Sequence, residues 1–289
     1  MSHQIENKCL FASSVREQLD TDDFIQLLTK TTTFRNISPD QMPLAILADI
    51  CLRTELKELA RNEPLKLADE GEAVFEIIEG YVKIQDRRAS KADERRGIIK
   101  TAPALLAWRV PGELLGDFRF AQPEEAGEDW IEATDDCLLL KMPTPLIHEL
   151  AQIFPQIYLN IAGNLAAKAR KARVRAQILR LPNIKCKVAQ LFIELIEERK
   201  TTQENPGQHV LNGTFRLDDL EAFLGYEERA TEGAVTELMD QELIKHYKNN
   251  VSGRYEICDP NGLKIYLENQ LTKDAIEKKE RQNKRKHKS

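Results

Sequence analysis

Arginine clusters are the residues of this sequence best suited to binding a charged small molecule. Guanidinium groups hold phosphate oxygens through paired hydrogen bonds, and an indole ring offers a flat face for stacking. One cluster lies in the polar run at 86–96 and is followed by an aromatic and a basic residue; its members are Arg87, Arg88, Arg95, Arg96, Trp108 and Arg109. A second set lies further along and includes Arg170 and Arg173. The alternative interpretation of each set is a solvated loop or helix face.

Residue types that carry catalysis are present but scattered. The five histidines are His3, His148, His209, His246 and His287. They are dispersed, and the sequence has no HExxH, Walker or GxGxxG motif. Paired carboxylates such as Asp22 and Asp23 are typical of helix caps and surface charge. We therefore expect no catalytic residues, no metal centre and no enzymatic cofactor.

The composition is that of a globular protein with about two domains. The 289 residues are 42% hydrophobic and 31% charged, with a net charge of −5. No apolar run approaches the ~20 residues of a membrane span, and the first twenty residues have no apolar core of a signal peptide. The scattered cysteines are Cys9, Cys51, Cys137, Cys186 and Cys258. Their spacing predicts reduced thiols and a cytoplasmic location.

The chain changes its hydrophobic period twice. Residues 15–60 have helical spacing, whereas short alternating runs at 64–67, 73–78, 81–85, 104–110, 130–133 and 137–142 predict strands of a β-roll or barrel. Helices are then predicted at 144–153, 156–181 and 188–196, with a polar linker or hairpin at 200–214. A helix–turn–helix at 217–243 and a strand pair at 246–257 complete a winged helix.

The long helix has a heptad-like seam of mostly small residues, which predicts a homodimer. The seam consists of Ala162, Leu165, Ala169, Ala172, Ala176 and Leu179. Basic residues crowd one flank, namely Lys168, Arg170, Lys171, Arg173 and Arg175, and we expect this flank to stay hydrated or to meet anions. The alternative is a helix packed only on its own domain.

Residues 70–84 (EGEAVFEIIEGYVKI), 112–120 (GELLGDFRF) and 130–133 (WIEA) resemble the cyclic-nucleotide-binding domain of the CRP/FNR group of bacterial regulators. Together with the long helix and the helix–turn–helix, the resemblance covers about residues 20–268 in the order of that family. It implies an α+β fold: an N-terminal cyclic-nucleotide-binding-like β-roll, a long central helix and a C-terminal winged helix–turn–helix. The expected divisions are 1–19 (extension), 20–153 (β-roll), 154–182 (connecting helix), 183–270 (winged helix) and 271–289 (flexible basic tail).

The resemblance also implies a ligand site, which this sequence modifies. Asp117 (or Glu113) matches the carboxylate that takes the ribose hydroxyl in cyclic-AMP-binding members. The arginine that neutralises the phosphate matches Gly127 or Glu128, and an unpaired carboxylate there opposes a buried phosphate. Cyclic AMP is therefore the less favoured ligand. The lost arginine, with surplus arginines elsewhere, resembles a cyclic-di-GMP receptor of the cyanobacterial subgroup.

The helix–turn–helix departs from the DNA-binding pattern of the same family. Its second helix carries Glu228, Arg229 and Glu232, and the arginine positions of the family fall on Glu228 and Gly233. An acidic helix opposes binding to phosphates. The wing residues Lys245, Lys248 and Arg254 could still hold a DNA backbone. We expect a signalling receptor that acts on a protein partner, such as another transcription regulator. DNA binding and a nucleotide-independent interaction scaffold are the alternatives.

Overall fold

The computed structural model describes residues 21–86, 104–117, 130–198, 201–205, 208–211, 215–225, 228–247 and 254–286. The chain divides into two compact units after Arg170. The described part of the first unit contains a helical layer and two antiparallel sheets. The described part of the second contains four short strands and several helices. No described helix combines the length and hydrophobicity of a membrane span.

The helical layer of the first unit forms one apolar core. Its helices are α1 (Thr21–Lys30), α2 (Leu44–Arg53), α3 (Thr144–Ile153) and the beginning of α4 (Gln156–Leu179), with a short 3-10 helix at Pro39–Gln41. Apolar residues at helical spacing, such as Ile147 and Leu150 on α3 and Ile157 and Ile161 on α4, are buried in the same cluster. The first turns of α4 are therefore packed firmly on the unit that contains the sheets.

Two four-stranded sheets make the β-roll. The first has the order β1-β8-β3-β6 and the second β2-β7-β4-β5, with every pairing antiparallel. The strands are β1 (Glu55–Leu59), β2 (Pro64–Lys66), β3 (Ala73–Glu79), β4 (Val82–Asp86), β5 (Ala104–Arg109), β6 (Leu114–Leu115), β7 (Trp130–Ala133) and β8 (Cys137–Pro143). A 3-10 helix at Leu67–Glu70 follows β2. Alternate residues of both sheets, including Phe75, Ile77 and Ile131, share one buried cluster.

The turn between β3 and β4 requires glycine. Gly80 has a φ of +83°, and a Cβ at this position would lie 2.4 Å from the carbonyl oxygen of Asp136. Both the backbone conformation and the space exclude a larger residue.

The second unit contains a winged helix. Its elements are α5 (Ile184–Glu197), β9 (Thr201–Asn205), β10 (Gln208–Leu211), α6 (Leu217–Leu224), α7 (Glu228–Asp240), β11 (Ile244–His246), β12 (Tyr255–Ile257) and α8 (Pro260–Lys286). The strands form a sheet in the order β11-β12-β10-β9. Gly225 ends α6 in the left-handed region, with φ +69°, and its N–H donates to the Glu221 carbonyl at 2.7 Å. This C-cap makes the tight turn before α7.

The structure differs from the sequence prediction at three places. Residues 55–59 are a strand rather than part of a helical stretch, because they pair with β8 along their whole length. Residues 271–286 continue α8 rather than forming a flexible tail, since helix-favouring Lys, Glu and Gln residues extend a helix that is already nucleated by packing. Cys51 is disulfide-bonded, whereas reduced thiols were expected; Cys137, Cys186 and Cys258 are free.

Candidate functional site

A row of polar residues runs along one side of α4 at intervals of four. Its members are Gln156, Asn160, Asn164 and Lys168, and we call this row the polar ladder. Residues four apart lie on one helix face. At its first step, Gln156 Nε2 donates to Asn160 Oδ1 at 2.9 Å. Asn160 Nδ2 then donates to the carbonyl oxygens of Thr33 at 3.0 Å and Arg35 at 2.7 Å, which ties α4 to the loop after α1.

The far end of the polar ladder holds residues 112–117, the segment that resembles the opening of the ligand cassette. Asn164 Nδ2 donates to the Gly112 carbonyl at 3.3 Å. Lys168 Nζ donates to the Leu114 carbonyl at 2.5 Å and to Asp117 Oδ2 at 2.6 Å. The candidate ligand segment is therefore fixed to α4 through backbone carbonyls and one ion pair.

The ion pair between Lys168 and Asp117 is buried, with side chains 8% and 3% exposed. Burial is the main cause of a lowered pKa of Lys168, and Arg109 lowers this pKa further, whereas Asp117 and Glu113 oppose the shift. Glu113 is itself buried, and its Oε2 accepts from the Val110 N–H at 2.9 Å. Lys168, Asp117 and Glu113 are therefore buried charged groups in one region, with the half-buried Arg109 close enough to act on Lys168, and charges interact more strongly there than in water.

Glu76 forms a second buried polar centre in the same unit. Its carboxylate, on β3, accepts hydrogen bonds from the backbone N–H groups of Thr32 and Thr33, and from Thr33 Oγ1 at 2.7 Å. Thr32 Oγ1 in turn donates to the Gly112 carbonyl at 2.6 Å, the acceptor that it shares with Asn164. Burial raises the pKa of Glu76, and its hydrogen bonds oppose that shift. The network joins sheet, loop, cassette opening and α4.

The residues predicted to bind ligand are only partly brought together. Arg109 and Trp108 are neighbours on β5, paired with Val82 and Lys83 respectively, so their side chains point to opposite faces of the sheet. Arg109 lies in the electrostatic range of Lys168, and Asp117 contacts Lys168 directly. Trp108 is buried on the other face. The remaining members of this cluster, Arg87, Arg88, Arg95 and Arg96, and the positions Gly127 and Glu128 fall outside the described residues.

The basic flank of α4 divides into residues with different roles. Arg170 and Arg173 are exposed, as predicted for a hydrated face. Lys168 is buried against Asp117 instead. Arg175 lies over the Phe223 ring, 4.3 Å from its centroid, and its Nη2 donates to the Phe223 carbonyl at 3.1 Å, so it anchors the end of α4 to α6.

The surface of α7 retains two exposed charges of opposite sign at the predicted partner positions, Arg229 and Glu232. Glu228 begins the helix, and its side chain lies outside the description. A further acidic residue, Glu237, is turned towards the body of the unit, where it meets Lys185 and accepts from the Tyr266 hydroxyl at 2.9 Å. The acidity available to a partner is therefore smaller than the sequence suggests.

The predicted basic wing is also partly neutralised. Lys245 Nζ lies 3.1 Å from Glu256 Oε1, and this hydrogen bond raises the pKa of Lys245. Arg254 is half-buried, and Lys248 is outside the described residues. Across the part of the chain that is described, no cluster of three or more His, Cys, Asp or Glu side chains has the arrangement of a metal site.

Sequence reasoning missed Glu76, Asn160 and Asn164, and it placed Lys168 on the flank of α4 that was expected to stay hydrated or to meet anions. The signal was available for α4, since the polar ladder repeats at four residues on a helix that is otherwise apolar on that side. For Glu76 the sequence contained no signal. A glutamate inside an alternating strand looks the same whether it faces water or a buried loop.

Comparison with solved structures finds the same architecture in several bacterial proteins. A cyclic nucleotide-binding domain containing protein from Listeria monocytogenes has a TM-score of 0.58 at 16% identity, over 82% of this chain and 96% of that one. A transcriptional regulator of the CRP/FNR family from Thermus thermophilus gives 0.55 at 19% identity, over 74% and 98%. FixK2 from Bradyrhizobium japonicum gives 0.56 at 16% identity, over 74% and 96%.

No protein-family model and no curated protein matches the sequence. At these identities the structural likeness shows the fold alone, and it agrees with the sheets, the long helix and the winged helix described above. The predicted α+β fold class is confirmed. This chain has the fold of the CRP/FNR-type regulators, a cyclic-nucleotide-binding-like β-roll followed by a C-terminal winged helix.

Proposed function

We propose that this chain is a ligand-responsive regulatory protein whose β-roll binds a nucleotide second messenger, with cyclic di-GMP the favoured ligand. The observation that carries the proposal is the attachment of residues 112–117 to α4 by Lys168 and Asn164. A ligand that competes for these contacts changes how the cassette opening is held on the helix. The same helix continues into the second unit, to Leu179.

The charges around Lys168 support a ligand with both anionic and donor groups. Phosphate oxygens suit Lys168 and Arg109, and guanine N–H groups suit the carboxylates Glu113 and Asp117. A cyclic dinucleotide of guanine supplies both kinds of group, together with flat bases. Cyclic AMP in the usual mode is less favoured, because the phosphate-neutralising arginine of the family matches Gly127 or Glu128 in this sequence.

Ligand binding is coupled to the position of residues 112–117 on α4 if the ligand has different affinities for the two arrangements of that segment. A ligand shifts an equilibrium between two arrangements only by as much as it prefers one of them. Binding that transfers Lys168 from Asp117 to a phosphate favours the arrangement in which residues 112–117 have moved from α4. A ligand that leaves this ion pair intact would bind without a regulatory effect through this path.

The test is calorimetric titration of cyclic di-GMP and cyclic AMP into the wild-type protein and two variants. Lys168→Met should weaken cyclic di-GMP binding at least about tenfold, the loss of about 1.4 kcal/mol from one charge-assisted contact. Lys30→Met, which removes an exposed cation from α1 in the same unit, should bind like wild type. Thermal unfolding in the absence of ligand checks that each variant is folded.

Two results would count against the ligand proposal. If neither nucleotide produces heat with the wild-type protein, the nucleotide-independent scaffold becomes the better description. If cyclic AMP binds and cyclic di-GMP does not, the conventional ligand of the fold replaces the proposed one.

For the output, we propose that α7 contacts a protein partner, such as another transcription regulator. Glu232 and Asp240 are exposed on this helix beside a single exposed cation, Arg229. This favours a partner with a basic surface. A crosslinker introduced at residue 232 should capture that partner in a ligand-dependent manner, and Glu232→Lys should abolish capture while leaving nucleotide binding unchanged.

Sequence-specific DNA binding is the second candidate output. It is favoured by the winged-helix fold, in which Arg229 lies exposed on α7 after the tight turn at Gly225. A promoter fragment that binds wild type and is released by Arg229→Gln, with a salt-dependent affinity, would select this output over the protein partner.

A further inference from the structure

Helix α8 divides into a packed half and an exposed half. In the first half Leu263, Tyr266 and Leu267 are buried, and the Tyr266 hydroxyl donates to Glu237 on α7. The last residues with partial burial are Leu271 and Asp274. From Ala275 onwards, every residue with a described side chain is exposed. Packing of the first half therefore nucleates a helix that continues for three more turns without support from the body of the unit.

We call residues 275–286 the basic arm. It contains six basic residues and two acidic ones, for a net charge of +4, whereas the whole chain has −5. The basic residues are Lys278, Lys279, Arg281, Lys284, Arg285 and Lys286. One acidic residue is already engaged, because Glu277 Oε2 lies 3.3 Å from Arg281 Nη2. At helical spacing, positions 278 and 281 fall on one face, so Lys278 and Arg281 are neighbours on the helix surface.

The composition of the basic arm favours a polyanion as its binding partner, rather than a membrane or an apolar groove. Insertion at a membrane interface needs an apolar face, and the basic arm has only Ala275 and Ile276 as apolar residues. A basic helix of this charge density matches the phosphate backbone of a duplex, which carries one charge for about every 1.7 Å of its axis. The unit that bears the basic arm is also a winged helix, a common nucleic-acid-binding fold.

We propose that the basic arm binds the phosphate backbone of duplex DNA without reading its sequence. The choice of DNA as the polyanion rests on the second proposed output, DNA binding by the winged helix. Binding by the basic arm requires neither the nucleotide ligand nor any contact made by α7. Each phosphate neutralised by Lys or Arg releases counterions and adds about 0.9 to the slope of log affinity against log salt. Four contacts from the basic arm therefore contribute a slope of about 3.6.

The test uses the full chain and a duplex of random sequence, about 30 base pairs long, with fluorescence anisotropy between about 50 and 200 mM salt. The arm variant is Lys278→Gln, Lys279→Gln, Arg281→Gln and Lys284→Gln, in which glutamine preserves helix propensity. We expect the salt slope to fall by about 3.6, so the affinity ratio of wild type to variant shrinks on the order of a hundredfold over this range. The matched control replaces the three lysines with arginine and should keep the wild-type slope.

An unchanged slope in the arm variant would overturn the proposal. The proposal would also be overturned if the arm variant lost affinity for poly-glutamate and for the duplex equally, because an acidic protein would then be the better match. Binding of the full chain to phosphatidylserine vesicles in preference to DNA would overturn it as well. Failure of the proposed ligand or of Arg229→Gln would leave these measurements unaffected, because the duplex has no promoter sequence and no nucleotide is added. Circular dichroism confirms that the arm variant keeps its helix content.

Discussion

At the scale of single residues, the buried polar centres determine which substitutions matter. Glu76 accepts three hydrogen bonds, two of them from the backbone N–H groups of the half-buried Thr32 and the buried Thr33. A carboxylate has acceptor sites on both oxygens, whereas an amide presents an acceptor on one side and a donor on the other. The network therefore depends on two acceptor oxygens at residue 76 rather than on the size of that side chain.

Glu76→Gln should destabilise the first unit by about 1–3 kcal/mol, because the amide leaves at least one buried N–H unsatisfied. Urea unfolding measures the loss. The matched control is Glu79→Gln, which changes an exposed residue on the same strand and should lie within about 0.5 kcal/mol of wild type. Equal effects of the two variants would show that the Glu76 hydrogen bonds contribute nothing measurable.

The Cys137 thiol gives a prediction about pH. Burial raises the pKa of this thiol from 9.0 to about 11, and its Sγ lies within hydrogen-bonding distance of the carbonyls of Tyr81 and Asp135, at 3.2 and 3.1 Å. The folded state then keeps a proton that the unfolded state loses near pH 9, so the stability that this thiol contributes falls as pH rises from about 9 to about 11. The stability difference between wild type and Cys137→Ala, from urea unfolding at about pH 8 and pH 10.5, should change in that direction. A difference that stays constant with pH would contradict the assignment.

At the scale of elements, local sequence determined most of the fold. Alternation or short apolar runs in β3, β4 and β8 and the 3.6-residue period in α3 and α6 predicted those elements at nearly their observed bounds, whereas α5 begins at Ile184, four residues before its predicted start at Val188. Strand β1 was missed because its sequence, ELKEL, has no strict alternation, and its strand conformation comes from pairing with β8. The candidate site was predictable only at Asp117, Glu113 and Arg109, since the partners of Lys168 and Glu76 are 43 to 54 residues away in sequence.

Two glycines test the elements directly, because they share an unusual φ but differ in their surroundings. Gly80→Ala should cost at least about 3 kcal/mol, since the new Cβ meets the Asp136 carbonyl as well as adopting φ +83°. Gly71→Ala has φ +73° but no atom within 4 Å of the added Cβ, so only conformational strain of about 1 kcal/mol is expected. Thermal unfolding compares them, and similar losses would mean that steric contact at the β3–β4 turn is relieved by a small shift.

At the scale of the whole molecule, α4 presents small residues that the described residues of one chain do not cover. Ala162, Ala169, Ala172 and Ala176 are exposed, and Leu159 is 65% exposed, whereas Leu165 of the predicted seam packs against the helical core. Small residues allow two helices to approach closely. A homodimer through this face stays a prediction of the seam.

The combined variant Ala162→Glu and Ala169→Glu should convert that dimer to a monomer, because like charges would meet across the seam. Light scattering coupled to size exclusion measures the mass. Gln177→Glu, an exposed change on the same helix outside the seam, should leave the mass unchanged. A wild-type chain that is monomeric at all concentrations would remove the prediction.

Helix α4 is fastened at two points close together in sequence, at Lys168 to the Asp117 segment and at Arg175 to Phe223. The six residues between them span about 10 Å of helix and include neither glycine nor proline. One helix therefore carries an ion pair to the candidate ligand segment near its middle and a cation–π contact to α6 near its end, with only about two turns of backbone between the two contacts.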